Sequence, residues 1–139
     1  PRARPLTDSE AAQLRLHFGS RIPIWYAEFL GTLPMANRII RYTASKTTWD
    51  LWWAGADMMI SEDSESLPGR AVASAGYVPV AIDPTGSGNP YFVRFDDDDP
   101  PIVQVFHDRI GPSGEILSEH STVVCDRMSR LFRDAFQLA

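Results

Sequence analysis

The stretch DPTGSGNPYFVRFDDDDPP (83–101) sets a carboxylate, a Gly-rich loop and four consecutive aspartates close together along the chain. Three chemistries suit such a set. It could cradle phosphate, bind a divalent cation with hard oxygen ligands, or present an acidic face to a cationic partner. The phosphate reading is weak. GSG (86–88) matches neither GxxxxGK[ST] nor GxGxxG, and no lysine follows it. A phosphate loop also leads into a helix N-terminus, whereas this one leads into a predicted strand, and Asp83 would repel an anion. For a cation, Asp83, Ser87, Asn89 and Asp96–Asp99 supply oxygens. EF-hand spacing is absent, however, and successive side chains of an extended aspartate run point apart.

Hydrolytic chemistry finds little support. His107 and Asp108 are adjacent and so point to opposite faces of a strand, a poor arrangement for a base and its orienter. There is no GxSxG elbow and no HExxH, and His17 and His120 stand apart from other candidate groups. A carboxylate pair acting as acid and base leaves little trace in a sequence. The expectation is no catalytic residue, no resident metal and no cofactor.

Charge is unevenly distributed. Residues 1–46 carry seven basic and three acidic side chains, residues 47–108 carry two and eleven, and residues 109–139 carry four of each, for a net −5. An acidic middle repels nucleic acid and steers a basic partner toward itself, or simply keeps a surface solvated. No apolar run approaches the ~20 residues that span a bilayer, so no membrane is expected. PRARPLTD (1–8) has basic residues but no apolar h-region, so no secretory signal is expected either. Cys125 is the single cysteine; it suits a reducing cytoplasm and, next to two valines, a place in the core.

The elements that position these residues follow from periodicity and punctuation. Thr7 and Glu10 have capping-box spacing and open a helix over 8–18, with Ala11, Leu14 and Phe18 on one face and Gly19 ending it. A second helix begins near Pro23, with Trp25, Phe29, Leu30 and Leu33 as its apolar stripe and Pro34 as its stop. Strands are expected at 37–43 and 47–53; the second is ambiguous, since alternation places Trp49, Leu51 and Trp53 on one face while Trp49, Trp52 and Trp53 also have helical spacing, and the strand is the favoured reading. A short helical turn is expected around ADMMISED (56–63), and SEDSESLPGR (61–70) reads as an exposed loop. Strands at 77–82 and 90–95 form a hairpin around the Gly-rich loop, and a third at 102–106 follows the aspartates. GPSG (111–114) marks a turn into a further hairpin. A helix over 126–137 closes the chain, with Met128, Leu131, Phe132, Ala135 and Phe136 as its buried stripe. The composition fits one domain over 1–139, and the order of elements predicts α+β: a mainly antiparallel sheet of five to six strands, with helices at the N-terminus and a C-terminal helix packed on it.

In this order the pieces resemble the SUKH superfamily, the immunity-protein group that also contains the yeast cell-wall assembly regulators. RIPIWYAEFLGTLP (21–34) resembles the family's proline-opened helix with an aromatic and a Phe-Leu pair. AGYVPVAIDPTGSGNPYFVRF (75–95) is similar to its strand with proline, acid, Gly-rich turn and aromatic strand. PPIVQVFHD (100–108) and STVVCDRMSRLFRDAF (121–136) resemble its later strand and closing helix. The Asn-Gly-Gly stretch frequent after the second helix is replaced by GTLPMANRI, and Asn89-Pro90 stand where many members carry another acid.

The resemblance implies a noncatalytic cytoplasmic protein that binds and neutralises a cognate bacterial toxin, often a nuclease. On this reading Asp83, Asp96, Asp97, Asp98 and Asp99 attract a basic toxin surface, and Glu62, Asp63 and Glu65 form a second acidic patch. Tyr91, Trp49 and Trp52 are the candidate aromatic anchors. The alternatives are a regulatory module that binds a basic partner and, behind it, a metal-binding domain.

Overall fold

The computed structural model describes residues 2–66, 68–85, 87–106 and 121–137. The N-terminal helix α1 (Asp8–Phe18) starts where its sequence signals place it. Thr7 Oγ1 accepts from the Glu10 N–H at 3.2 Å, and Glu10 Oε1 accepts from the Thr7 N–H at 3.0 Å. Arg4 adds a two-pronged ion pair to the same carboxylate, and together these contacts hold Glu10 down at about 2. Ala11, Leu14 and Phe18 are buried, and Gly19 (φ 57°) ends the helix with a left-handed residue.

Helix α2 (Ile24–Thr32) follows Pro23, which serves as its N-cap. Its buried face differs from the expected stripe. Tyr26, Ala27 and Leu30 point into the core, while Trp25 is 41% and Leu33 46% exposed. The reason is a polar demand inside the core. The indole N–H of buried Trp53 needs an acceptor, and Tyr26 Oη supplies one at 3.1 Å. Placing Tyr26 inward turns its neighbour Trp25 about 100° toward the surface.

The strands β1 (Ile39–Ala44), β2 (Thr47–Trp53), β3 (Val78–Ile82), β4 (Pro90–Val93), β5 (Ile102–Val105), β6 (Ser121–Cys125) and β7 (Phe136–Gln137) form one sheet. Their order is β6-β5-β4-β3-β2-β1-β7, and every neighbouring pair is antiparallel. The chain is therefore α+β with an antiparallel sheet, as its element order implies. The β1–β2 hairpin turns through Ser45 (φ 51°) and Lys46 (φ 66°), both left-handed, the backbone that a tight two-residue hairpin demands. Pro79, which cannot donate to a ladder, coincides with a register shift in the β3–β4 pairing.

Two expectations are corrected. SEDSESLPGR is not an exposed loop: helix α3 (Ala56–Ser64) runs through its first four residues, and helix α4 (Gly69–Val72) holds its last two. Gly69 permits the close contact between them, since a Cβ there would lie 2.2 Å from the Glu62 carbonyl oxygen. The closing helix α5 is also shorter than expected, Met128–Asp134. The chain then extends and pairs β7 with Ile40 and Arg41 of β1, a seventh strand beyond the five to six expected. The GPSG turn lies outside the described residues, although β5 and β6 pair antiparallel on either side of it.

The main core gathers α1, α2, α3 and α5 on one face of the sheet, around Leu14, Tyr26, Trp53, Met59 and Leu131. A smaller cluster, Val72 with Phe92 and Val105, packs α4 against the reverse face. Phe92 lies between Tyr91 and Val93, which face the main core, as strand alternation requires. Cys125 is buried, its thiol 3.4 Å from Tyr42 Oη. Among the described residues no helix is long and apolar enough to cross a membrane.

Tyr26→Phe leaves the Trp53 indole N–H unpaired in the core. It should cost about 1–3 kcal/mol in urea unfolding with an unchanged m-value. A loss below a few tenths of a kcal/mol would mean that the hydrogen bond does not set the inward face of α2.

Candidate functional site: an acidic loop beside an exposed tryptophan

The loop joining β4 to β5 carries Asp96–Asp99, and it lies beside Trp25 at the start of α2. A groove of about 370 Å³ runs between Trp25, Phe29, Asp98, Asp99, Met128, Ser129 and Phe132. A second cleft, of about 330 Å³, lies between Pro23, Trp25, Phe95, Asp96, Asp97 and Asp98. Trp25 and Asp98 belong to both, so they form the ridge between the two.

Local contacts hold this loop in shape. Asp99 Oδ1 accepts from the Ser129 N–H at 2.8 Å, and Ser129 Oγ donates to Asp99 Oδ2. The Met128 N–H donates to the Pro100 carbonyl at 2.9 Å. Asp99 thus satisfies a free N–H in the first turn of α5, whose own N-cap residue, Arg127, makes no side-chain capping bond. The Ser129 contacts hold the Asp99 carboxyl below its ordinary value, with a further contribution from the Arg127 charge. Asp97 Oδ1 lies 3.4 Å from the Asp99 N–H. Asp96 pairs with Arg94 at 2.8 Å, and that guanidinium also lies 5.3 Å from the Tyr77 ring centroid. Asp98 has no hydrogen bond or ion pair among the described residues. The four aspartates are therefore not equivalent. Asp96 is offset by Arg94 and Asp99 caps a helix, which leaves Asp97 and Asp98 as the uncompensated charge.

Trp25 is held by edge-on contacts with Phe95 (5.7 Å) and Tyr26 (5.8 Å). The aromatic series continues from Tyr26 to Phe29, then Phe132, then buried Trp53. The exposed indole stands at the outer end of a packed aromatic chain, which limits its freedom before any partner arrives.

The other predicted residues fall elsewhere. Asp83 lies at the opposite end of β4 from Asp96–Asp99, so the two acidic groups do not converge. Burial raises its carboxyl, but hydrogen bonds from Ser87 and Thr85 outweigh this and hold it below its ordinary value. Trp52 is half-buried and pairs with Ile82, the residue before Asp83. Trp49 is half-buried and stacks on Tyr42 at 6.2 Å. Tyr91 is corrected as an anchor: it is 1% exposed, faces the main core, and donates to the Asp50 carbonyl at 3.0 Å.

The second acidic patch is also corrected, because α3 turns its residues in different directions. Asp63 is buried and takes two bonds from Arg21 (2.9 and 2.7 Å) and one contact with His17 Nε2 at 2.8 Å. Arg21 and His17 flank the α1 terminus, so this pairing ties α1 to α3. Glu62 is half-buried, and its Oε2 has no hydrogen-bond partner among the described residues. Burial pushes its carboxyl up to about 7; the Gly69 N–H opposes the rise and the Asp63 charge adds to it. Glu65 alone is exposed, with Ser61 Oγ 3.4 Å from its Oε2. His107, Asp108 and His120 lie outside the described residues. Among the described residues no three His, Cys, Asp or Glu side chains converge into a metal shell.

The sequence reading missed Trp25 as a surface residue. Its spacing fits an inward stripe as well as an outward one, and only the hydrogen bond across the core distinguishes them. Compared with family models, with curated proteins and with solved structures, the chain matches none.

Asp99→Ala should destabilise the fold by about 0.5–2 kcal/mol through the lost cap, whereas Asp98→Ala should stay within about 0.5 kcal/mol. Equal losses in chemical unfolding would contradict the division of roles among the aspartates. Glu62 makes a prediction about pH. A carboxyl whose folded value lies above its unfolded one favours folding at low pH, and that advantage is lost as pH climbs from about 4.5 through 7. Glu62→Gln should therefore raise Tm more at pH 8 than at pH 5. The same gain at both would show that Glu62 is not a strained carboxylate.

Proposed function

We propose that this chain is a noncatalytic binding protein of the immunity type, which neutralises a bacterial toxin in the cytoplasm by covering the toxin's basic surface. The carrying observation is that Asp97 and Asp98, the two uncompensated carboxylates of the loop, share one rim with exposed Trp25. The similarity of the chain's motifs to SUKH proteins adds the toxin to this reading. A cationic nuclease surface is built to meet phosphates, and a preformed row of carboxylates can occupy it in their place.

Charge and anchor contribute differently. Rim carboxylates accelerate encounter and reject anionic partners, while tight binding needs an aromatic residue that becomes desolvated. Trp25 takes the role first assigned to Tyr91, Trp49 and Trp52, because it is exposed beside the acidic loop. The same rim serves a regulatory module with a basic, non-toxin partner, so the two readings differ only in whether binding relieves toxicity. A metal-binding role has less support, since Asp99 is committed to Ser129 and Asp83 lies at the far end of β4.

The test is co-expression with any toxin candidate found encoded beside the gene, read by growth rescue and by pull-down. Rescue with a stable complex is the expected result; complex formation without rescue favours the regulatory module; the absence of both rescue and complex sinks the pairing. Within a complex, Trp25→Ala should weaken binding by about 2–4 kcal/mol. Asp97→Asn should cost only about 0–1 kcal/mol and act mainly on association rate and its salt dependence.

A further inference from the structure

The groove at Trp25 has a feature that a simple acidic surface lacks. Its floor is apolar, formed by Phe29, Met128 and Phe132, and one unpaired carboxylate stands at its edge. We infer that this groove is a pocket for one arginine or lysine side chain of a partner protein, with the methylene stem along Trp25 and Phe132 and the cationic head at Asp98. The inference rests on the reading of this rim as the binding face, and it adds the chemistry of the group that is bound.

Four properties of the site select that occupant. An anionic group in the groove would meet Asp98 and Asp99, and Asp98 has no ion pair among the described residues. A purely apolar side chain would cover Asp98 and desolvate a carboxylate with no compensating bond, which is unfavourable. A small hydrated cation gains nothing from the aromatic floor, and Asp99 is already committed to the Ser129 N–H and hydroxyl. A long cationic side chain satisfies both halves at once: its stem covers apolar surface while its head stays at the polar edge. The indole face of Trp25 adds a cation–π attraction. Arginine suits the site better than lysine, because its planar head can stack on the indole and pair two-pronged with a carboxylate.

The geometry also separates Asp98 from its neighbours as the specificity residue. Asp97 does not line this groove, Asp96 is paired, and Asp99 is the helix cap. Removing the charge at Asp98 should therefore affect binding of the cation more than removing it at Asp97.

The test uses the full chain labelled with 15N and three probes: N-acetyl-arginine amide, N-acetyl-norleucine amide and N-acetyl-glutamate amide. The expected result is that the arginine compound, in the millimolar range, shifts the Trp25 indole resonance and the amides of Ser129 and Phe132. The other two should leave them in place. Asp98→Asn should weaken the arginine titration by about tenfold, and Asp97→Asn by no more than about twofold. Equal shifts from norleucine, an unchanged titration in Asp98→Asn, or shifts gathered around Asp83 and Trp52 would each overturn the inference. If a toxin complex forms but its interface maps away from Trp25, the immunity reading stands and this pocket fails. If the arginine compound binds here while no toxin is neutralised, the pocket stands and the immunity reading fails.

Discussion

The hydrogen bond from the Trp53 indole N–H to Tyr26 Oη joins the middle of the sheet to the helix that carries the candidate site. Both side chains are fully buried, so neither polar atom has water as an alternative partner. In such surroundings a lost partner costs more than a formed bond contributes, and that asymmetry pins the rotation of α2 about its own axis. With Tyr26 inward, Trp25 is outward and Phe29 lies at the margin. The aromatic contacts from Trp25 to Phe95, and through Tyr26 and Phe29 to Phe132, then extend the same constraint from core to surface.

The acidic loop is fixed by a different kind of interaction. Besides Phe95, which packs against the core, it is held through polar contacts with the start of α5. Asp99 meets the Ser129 N–H there, and the Pro100 carbonyl meets the Met128 N–H. Helix termini leave backbone groups unsatisfied, and here the loop satisfies two of them. One consequence is that two sides of the groove, the loop and α5, are fixed relative to each other. Another is that a carboxylate counted among the binding charges is consumed by the fold. A run of four aspartates therefore presents less free charge than its composition suggests, and what remains is concentrated at Asp97 and Asp98.

A similar redistribution occurs at α3. Glu62, Asp63 and Glu65 sit close in sequence, but a helix turns successive residues by about 100°, so they enter three environments. Asp63 meets Arg21 and His17 in the interior, Glu62 lies half-buried against Gly69, and Glu65 remains outside. A burst of acidic residues in one dimension becomes an interhelical tie, a strained carboxyl and a solvated charge in three.

Much of the fold was legible along the chain, because its signals are local. The Thr7–Glu10 capping box and Gly19 bound α1, the alternation of Trp49, Leu51 and Trp53 marks β2, and the Gly-rich turn after Asp83 marks the β3–β4 hairpin. Each depends on residues within a few positions of one another, where steric and hydrogen-bonding preferences act without the rest of the molecule. Less was legible where the outcome depended on distant partners. Ser45-Lys46 carries no Asn-Gly signature, yet it turns the β1–β2 hairpin, whose paired strands impose the left-handed backbone. The last residues continue a helical pattern on paper but pair with β1, a strand almost a hundred residues earlier. The sequence by itself determined the α+β class, most element positions and the acidic character of the middle of the chain. Only the tertiary structure decided which aromatic residue reaches the surface and which aspartates stay free, because both depend on polar atoms that find their partners across the core or at the end of another helix.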